Sequence, residues 1–352
     1  MLTPQTINLP DFSMQIHTGF ETAGVWIDLN SDLGYVEMKD GKPKVVRINL
    51  KPDYSLGAPF TIGQRNPRGE IPLIVVRGVL VIDSRSGEGK WLKGNMKNSG
   101  QMNFDFVYFN PDDENEVFGS VDVDFIYRTG PNDKFPKPYF SILEYEKGFK
   151  SQTNIYFLKT RNDTQGEPMY GATDRWVTTD LRLKEVTHPL AIRLTQLRDS
   201  LPNIQKLMVS DIGNTALFQH PLLPTVNTSA YFVAWNDSQS RIQPLFVNGF
   251  GISTQSSMAL APDGKHIGIV QSHSSMSHDV FIGRIIPTDS LPQIELKWFH
   301  HIDEAGNFEC AFMGDSKTFA VLQSADDSKL LTWTLEDTLF TLPRRAYSPP
   351  EI

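Results

Sequence analysis

The chain has 352 residues, of which 39% are hydrophobic and 22 are Phe, so it can build a sizeable core and general disorder is excluded. Its formal net charge of −8 argues against nucleic acid as a partner, because a phosphate backbone is bound by a basic surface. No apolar run reaches the roughly 18 residues that a transmembrane helix requires, so a soluble, acidic protein is predicted.

The N-terminus and the cysteine content bear on the cellular compartment. Residues 1–12 contain neither the basic region nor the apolar stretch of a secretory signal, and Cys310 is the only cysteine in the sequence, so no intrachain disulfide can form. These features predict a cytoplasmic protein. A mature extracytoplasmic chain whose signal had been replaced by a new Met would have the same sequence, and that alternative stays open.

The first half of the chain consists of short apolar runs separated by turn-forming residues, which predicts strands. One group of strands is predicted within residues 12–50, and a less regular group follows at 58–95. A third group, at 99–130, alternates apolar and polar residues as strands with one buried face do. A fourth group is predicted at 139–187.

The hydrophobic period changes near residue 188. Leu190, Leu194, Leu197 and Leu201 recur at helical spacing, and the preceding Thr187-His188-Pro189 supplies a capping position followed by Pro in the first turn. The pattern predicts a short amphipathic helix at 189–200, inserted between groups of strands and lying on the outside of the fold.

The remainder of the chain is its most regular part. Gln219, Gln271 and Gln323 recur at intervals of 52 residues, each after a short apolar strand that follows a turn rich in Asp, Gly or Asn. Repeats of this length that contain several short strands are typical of β-propeller blades. Because every blade buries both faces against its neighbours, the three glutamines are expected to end the same strand of three successive blades.

These patterns predict an all-β chain that forms a β-propeller with seven four-stranded blades and a short helical insertion near 189–200. Because the first half is less regular, a propeller of six or eight blades and a two-domain chain that begins with a β-sandwich stay open as alternatives. The predicted single domain spans 1–352, with blades at 12–50, 58–95, 99–130, 139–187, 204–248, 252–298 and 299–342.

One repeat carries a family pattern. Residues 257–287 resemble the repeat of WD40-like propellers of the TolB type (PD40), in which a strand leads through a Pro-Asp-Gly-Lys turn, here Pro262–Lys265, into an apolar strand. The flanking repeats around Asp211 and Asp315 keep part of the pattern, and the Gly-His and Trp-Asp dipeptides of true WD40 repeats are missing. The resemblance implies a fold alone, because propellers have many functions.

Histidines collect at one end of the predicted blades. In a four-stranded blade, the loop between the second and third strands and the loop that leads to the next blade lie at the same end. The first kind of loop is predicted to hold His273 and His278, and the second kind His300 and His301. Imidazole suits Zn²⁺ or another transition metal, so these four histidines are candidate metal ligands. Solvated loop histidines are the alternative, and the four side chains are expected to share an end without converging.

Catalytic motifs are missing from the sequence: it has no GxSxG nucleophile elbow and no CxxCH haem motif. The sequence therefore predicts a non-enzymatic binding module that acts as a docking subunit in a protein assembly through one propeller face. A metal-dependent propeller hydrolase or lactonase with its ligands on one face is the alternative, and a subunit of a redox complex is a third hypothesis. No cofactor is predicted, except that a divalent metal belongs to the hydrolase alternative. The predicted partners are proteins, not nucleic acid.

Overall fold

The computed structural model consists of short strands with a single helix among the residues that it describes. The chain divides into two compact units: residues 1–30, 35–46 and 203–352 form the first, and residues 31–34 and 47–202 form the second. The described residues are 4–9, 16–18, 24–29, 32–48, 61–63, 65–75, 78–83, 86, 88–92, 106–120, 125–133, 137–159, 161–162, 168–169, 175–197, 204–220, 228–236, 239–247, 250–253, 255–288, 291–325 and 327–335.

The first five strands contribute to two sheets. Strand β1 (Gln5–Asn8) pairs with a strand from the C-terminal part of the chain, whereas β2 to β5 form a four-stranded sheet of their own in chain order. The bounds of these four strands are Ile16–Thr18 (β2), Gly24–Leu29 (β3), Asp32–Lys39 (β4) and Lys42–Ile48 (β5). The turn between β4 and β5 uses Asp40 and Gly41, whose φ angles of 52° and 72° suit a tight Asp-Gly hairpin turn.

The second unit contains two further meanders of four strands. The first consists of Thr61–Ile62 (β6), Glu70–Val75 (β7), Gly78–Asp83 (β8) and Gly89–Leu92 (β9). The second consists of Val107–Asn110 (β10), Asp113–Ser120 (β11), Phe125–Thr129 (β12) and Lys137–Ser141 (β13). The sequence assigned the run from residue 139 to the fourth group of strands, which is wrong for β13. A turn in which the Tyr145 N–H donates to the Ile142 carbonyl separates β13 from the next strand.

The last sheet of the second unit contains an insertion. Its strands pair in the order β14-β15-β18-β19, and a two-stranded ribbon, β16-β17, lies in the connection between β15 and β18. Their bounds are Tyr145–Lys150 (β14), Asn154–Lys159 (β15), Arg161–Asn162 (β16), Pro168–Met169 (β17), Arg175–Asp180 (β18) and Glu185–Val186 (β19).

The predicted helix is present as α1 (Pro189–Leu197), and residues 198–200 lie outside the described part of the chain. His188 caps it, because the His188 Nδ1 accepts a hydrogen bond from the Leu190 N–H at 3.2 Å. Leu190 and Leu194 are buried, and α1 packs against β18. The helical spacing of leucines in the sequence therefore correctly indicated an apolar stripe that is buried at Leu190 and Leu194.

The described C-terminal part of the first unit contains three four-stranded sheets and one two-stranded ribbon. The first two are meanders in chain order, separated by the short ribbon β24-β25, and the third orders its strands β1-β32-β31-β30. The bounds of the first meander and the ribbon are Lys206–Ser210 (β20), Thr215–Gln219 (β21), Ala230–Trp235 (β22), Ser240–Pro244 (β23), Phe246–Val247 (β24) and Phe250–Gly251 (β25). Those of the other two sheets are Ser257–Leu260 (β26), His266–Ser274 (β27), Ser277–Ile286 (β28), Gln293–Ile302 (β29), Asn307–Phe312 (β30), Thr318–Ser324 (β31) and Lys329–Thr334 (β32).

The N-terminal strand completes the last of these sheets. β1 pairs antiparallel with β32 over Gln5↔Thr332 to Asn8↔Lys329, and the Leu9 N–H donates to the Ser328 carbonyl at 2.9 Å. The predicted boundary between residues 298 and 299 falls inside β29. Three C-terminal strands therefore need a fourth from elsewhere, and β1 supplies it by covering the open edge of β32.

The three repeated glutamines occupy equivalent strands, as predicted, because each lies on the second strand of its sheet. Each is buried and donates its side-chain Nε2 to a backbone carbonyl: Gln219 to Ser253 (3.3 Å), Gln271 to Gly251 (3.3 Å) and Gln323 to Ala305 (2.8 Å). The expectation that each glutamine ends its strand is correct for Gln219 and wrong for the other two, since β27 continues to Ser274 and β31 to Ser324.

The core of the first unit lies between successive sheets. Phe312, Phe319 and Trp333 of the β30–β32 sheet pack with Val280 and Ile282 of the preceding one. The first strands also contact one another from sheet to sheet, β20 with β26 and β26 with β30. Strands β21, β22 and β31 are buried at every residue, because the sheets that contain them are covered on both faces. The described residues contain seven four-stranded sheets, and the number of blades in the whole molecule stays a prediction.

Candidate functional site

The sheet β26–β29 carries a long hairpin at one end. β27 and β28 have nine and ten residues, and their pairing continues to Ser274↔Ser277, leaving Ser275 and Met276 at the turn. We call residues 272–277 the long hairpin. The Met276 N–H donates to the Ser274 Oγ at 3.2 Å, and the Met276 side chain is 54% exposed. This hairpin presents an apolar side chain to solvent from a hydrogen-bonded backbone.

A fully buried carboxylate, Asp279 of β28, lies at the base of the long hairpin with a side-chain exposure of 0%. The Asp279 Oδ1 is 2.6 Å from the His301 Nδ1 of β29, and its Oδ2 is 2.9 Å from the His273 Nε2 of β27. The register of β27 against β28 shifts between Ser272 and Ser274, so His273 stands at this irregularity. A buried charge is stable only when it is paired and hydrogen-bonded, and two imidazoles provide that here.

His301 extends this network to a second carboxylate. Its Nε2 is 2.8 Å from the Oδ1 of Asp303, whose side chain is 82% exposed. Burial is the largest single influence on the pKa of His301 and lowers it, but hydrogen bonds to Asp279 and Asp303 together outweigh burial and raise that pKa above 6.5. We call His273, Asp279, His301 and Asp303 the His–Asp chain. It links all three strands β27, β28 and β29 to the segment that follows them.

His278 and His300 lie on the other side of the same sheet. Adjacent residues of a strand point to opposite faces, so these two side chains point away from Asp279 and His301. The His278 ring is 4.2 Å from that of Phe308, and the His300 ring is 5.5 Å from that of Trp333, both on the neighbouring sheet. Burial lowers the pKa of both histidines, which favours their neutral forms at pH 7.

The four histidines predicted as metal ligands share one end of the sheet, since His278 pairs with Ile302 and Val280 with His300. His300 and His301 lie within β29 and not in a loop, because the strands of this sheet are longer than the sequence indicated. The structure brings His273 and His301 together through Asp279 and places His278 and His300 across the sheet. Among the described residues, no group of three or more His, Cys, Asp or Glu side chains could hold a metal ion.

Sequence reasoning missed Asp279, the residue that organises the site. A signal was present, because Asp279 stands next to the apolar run Val280–Ile282 in a strand that had to be buried on both faces. A carboxylate in such a strand requires a charged or hydrogen-bonding partner. Which partner it takes depends on strand register, which the sequence pattern did not provide.

The segment after β29 adds further charges at this end. Glu304 forms an ion pair with Lys329 at 2.6 Å, and this hydrogen bond is the main reason that the pKa of Glu304 is lowered. The carbonyl of Ala305 accepts the Gln323 side-chain amide at 2.8 Å. The exposed groups at this end are thus a thioether, an imidazole and carboxylates, which suit contacts with a protein surface.

Cys310 is buried in β30 away from this site. Burial raises the pKa of its thiol to about 12, so the reactive thiolate form is scarce at neutral pH. The thiol is a small apolar component of the core between two sheets.

Comparison with known proteins identifies the fold. No protein-family model matches the chain, and no curated protein matches it. Among solved structures, the β-propeller domain of Myceliophteria thermophila Cps50 (Swd1) is similar over 94% of this chain and 98% of that chain, with 8% identity and a TM-score of 0.53. The extracellular domain of the hybrid two component system BT4673 from B. thetaiotaomicron gives 10% identity and a TM-score of 0.54 over 96% of this chain. Chaetomium thermophilum Raptor gives 9% identity and a TM-score of 0.50 over 94% of this chain.

The lengths of these proteins differ. The chain covers 43% of the BT4673 extracellular domain and 28% of Raptor. Identities this low show the fold alone, and that fold is an all-β propeller, as the sequence predicted. No helix in the described part of the chain has the length and apolar character needed to cross a membrane.

Proposed function

We propose that the chain is a non-enzymatic binding module that docks onto a protein partner through the end of sheet β26–β29 that carries the long hairpin. The observation that carries this proposal is the position of Met276, exposed at the tip of a hairpin whose base contains the buried Asp279. Met is enriched at protein interfaces relative to the rest of a protein surface. A hairpin that is ordered before binding loses little conformational entropy on association.

The long hairpin is held on both sides. On one side the His273 Nε2 contacts the Asp279 carboxylate at 2.9 Å, and on the other the His278 Nδ1 contacts the Ser272 Oγ at 2.8 Å. Both contacts cross from β27 to β28 just below the turn. They support a hairpin that presents Met276 and the neighbouring hydroxyl groups in one conformation.

Crosslinking of full-length protein in extracts of its source cells tests the docking surface. A photoreactive residue replaces exposed Ser275, and a matched control carries the same group at Ile212, which is 75% exposed on the turn between β20 and β21. That turn lies at the opposite end of the first unit, since Ser210 beside it donates its Oγ to the Pro262 carbonyl of the corresponding turn at 2.8 Å. We expect a crosslinked partner protein from position 275 and not from position 212.

The variant Met276→Asp gives the second part of the test. Recovery of the crosslinked partner should fall at least about tenfold, as for a side chain that anchors an interface, whereas Ile212→Asp should leave recovery unchanged. Equal recovery with both variants, or equal crosslinking from both positions, would contradict the proposed docking surface.

A further inference from the structure

One imidazole connects a buried carboxylate to an exposed one. The His301 Nδ1 lies 2.6 Å from the Asp279 Oδ1, and the His301 Nε2 lies 2.8 Å from the Asp303 Oδ1. Carboxylates at neutral pH only accept hydrogen bonds, so both contacts require an N–H from His301. An imidazolium has two N–H groups and a neutral imidazole has one. The observed pair of contacts therefore belongs to the protonated form.

Loss of the proton forces His301 to give up one carboxylate. Asp279 is fully buried, so solvent cannot replace a hydrogen bond that its Oδ1 loses, whereas Asp303 is 82% exposed and can be hydrated instead. Leaving a buried acceptor unpaired is far more costly than returning an exposed one to water. Asp303 is therefore the partner that neutral His301 releases.

We propose that His301 is a proton-operated clamp, which as an imidazolium holds Asp303, the first residue of the segment 303–306, beside the buried Asp279 and as a neutral imidazole releases it. This deepens the proposed function, on which it rests for the role of the surface, because that segment lies at the same end as the long hairpin. The proton lost from the ring passes to solvent. The docking surface is then better ordered at mildly acidic pH than at alkaline pH.

The groups around His301 set the direction of the effect. Asp279 on β28 and Asp303 on the following segment favour the imidazolium, whereas His273 on β27 and His300 on its own strand add positive charge when protonated. The remaining charged group of the segment, Glu304, is paired with Lys329. Strand β24, which packs against β29, consists of Phe246–Val247 and has no charge. Two carboxylates in direct contact outweigh the neighbouring imidazoles.

The fraction of His301 that is protonated sets the pH range in which the clamp is closed. The pKa of His301 is raised above 6.5 in the folded protein, so the contribution of the clamp is complete below pH 6.5 and disappears as pH rises through the folded-state pKa.

Two measurements on the full-length protein test the clamp. Histidine-labelled NMR spectra, assigned with His301→Gln, should show a His301 ring that is protonated on both nitrogens at pH 6 and titrates above 6.5. Hydrogen exchange in 303–306, corrected for intrinsic rates, should show protection about threefold to fivefold lower above the folded pKa, the size expected for the loss of one exposed ion pair.

Two variants in the same segment provide the comparison. Asp303→Asn should remove the pH dependence of protection, whereas Glu304→Gln, which changes the adjacent carboxylate, should retain it. The proposal is overturned by a His301 pKa at or below 6.5, or by the same pH dependence in Asp303→Asn and wild type. No partner is present in these experiments, so a negative result would overturn the clamp without bearing on docking. The crosslinking experiment alone tests docking.

Discussion

At the residue scale, Asp279 has the largest expected contribution of any polar side chain at the site. Replacing it with Asn keeps its size but removes the charge and one acceptor, leaving His273 and His301 to compete for a single amide oxygen. We expect Asp279→Asn to lower the free energy of unfolding at pH 6 by about 3 kcal/mol, as breaking a buried ion pair does. Urea denaturation measures the change.

Asp303→Asn is the matched control for that substitution, since the same chemical change is made at an exposed member of the His–Asp chain. Its cost should stay below about 1 kcal/mol, as for surface ion pairs. Similar losses for the two variants would show that burial of Asp279 does not determine the strength of its contacts.

Gly268 is a second residue whose environment fixes its identity. A Cβ at this position would lie 2.0 Å from the Phe319 Cε2, and the Phe319 ring is fully buried in the core between two sheets. We expect Gly268→Ala to lower the free energy of unfolding by about 3 kcal/mol through overpacking. Gly130→Ala should cost much less, because the nearest atom to its Cβ is 3.4 Å away. Thermal unfolding of the two variants compares them, and a neutral Gly268→Ala would contradict the packing.

At the scale of single elements, α1 depends on its buried stripe. Leu194 is 2% exposed and faces the sheet, whereas Ile192 of the same helix is 50% exposed. We expect Leu194→Asp to lower the free energy of unfolding by about 3 kcal/mol, because it removes apolar contacts and buries a charge. Ile192→Asp changes the same helix and should lie within about 0.5 kcal/mol of wild type. Circular dichroism during urea unfolding measures both, and equal losses would mean that the stripe does not hold the helix.

The cap of α1 also connects this helix to the sheet beneath it. His188 accepts the Leu190 N–H through its Nδ1, so its Nε2 carries the proton and lies 3.3 Å from the Tyr156 hydroxyl. The helix end and the sheet beneath it are therefore connected by one neutral imidazole. Thr195 adds a second connection, because its Oγ1 accepts the Trp176 N–H at 2.8 Å.

At the scale of the whole molecule, β1 from the N-terminal part of the chain pairs with β32 from its C-terminal part within one sheet. Its removal would expose the edge of β32 and break the contacts Gln5↔Thr332 to Asn8↔Lys329. We expect deletion of residues 1–9 to lower the free energy of unfolding by about 2–4 kcal/mol, because several backbone hydrogen bonds and the buried contacts of Leu9 with the core are lost. Differential scanning calorimetry and light scattering measure stability and self-association through the open edge. An unchanged transition temperature would show that the fourth strand is dispensable.

The sequence by itself determined the local features of this protein. The spacing of Leu190 and Leu194 predicted a helix, and the interval between Gln219, Gln271 and Gln323 predicted that they occupy the same strand of successive sheets. Hydrophobic period and turn composition express backbone geometry over a few residues, so they are visible along the chain.

The tertiary structure alone decided which distant segments meet. β1 completes the sheet of β30–β32, and Asp279 lies between His273 and His301 because of the register of β27, β28 and β29. The same register separates His278 and His300 from that site, although all four histidines are close in sequence. A shift of one residue in pairing moves every side chain to the other face, and the contacts that fix the pairing are spread over the whole core.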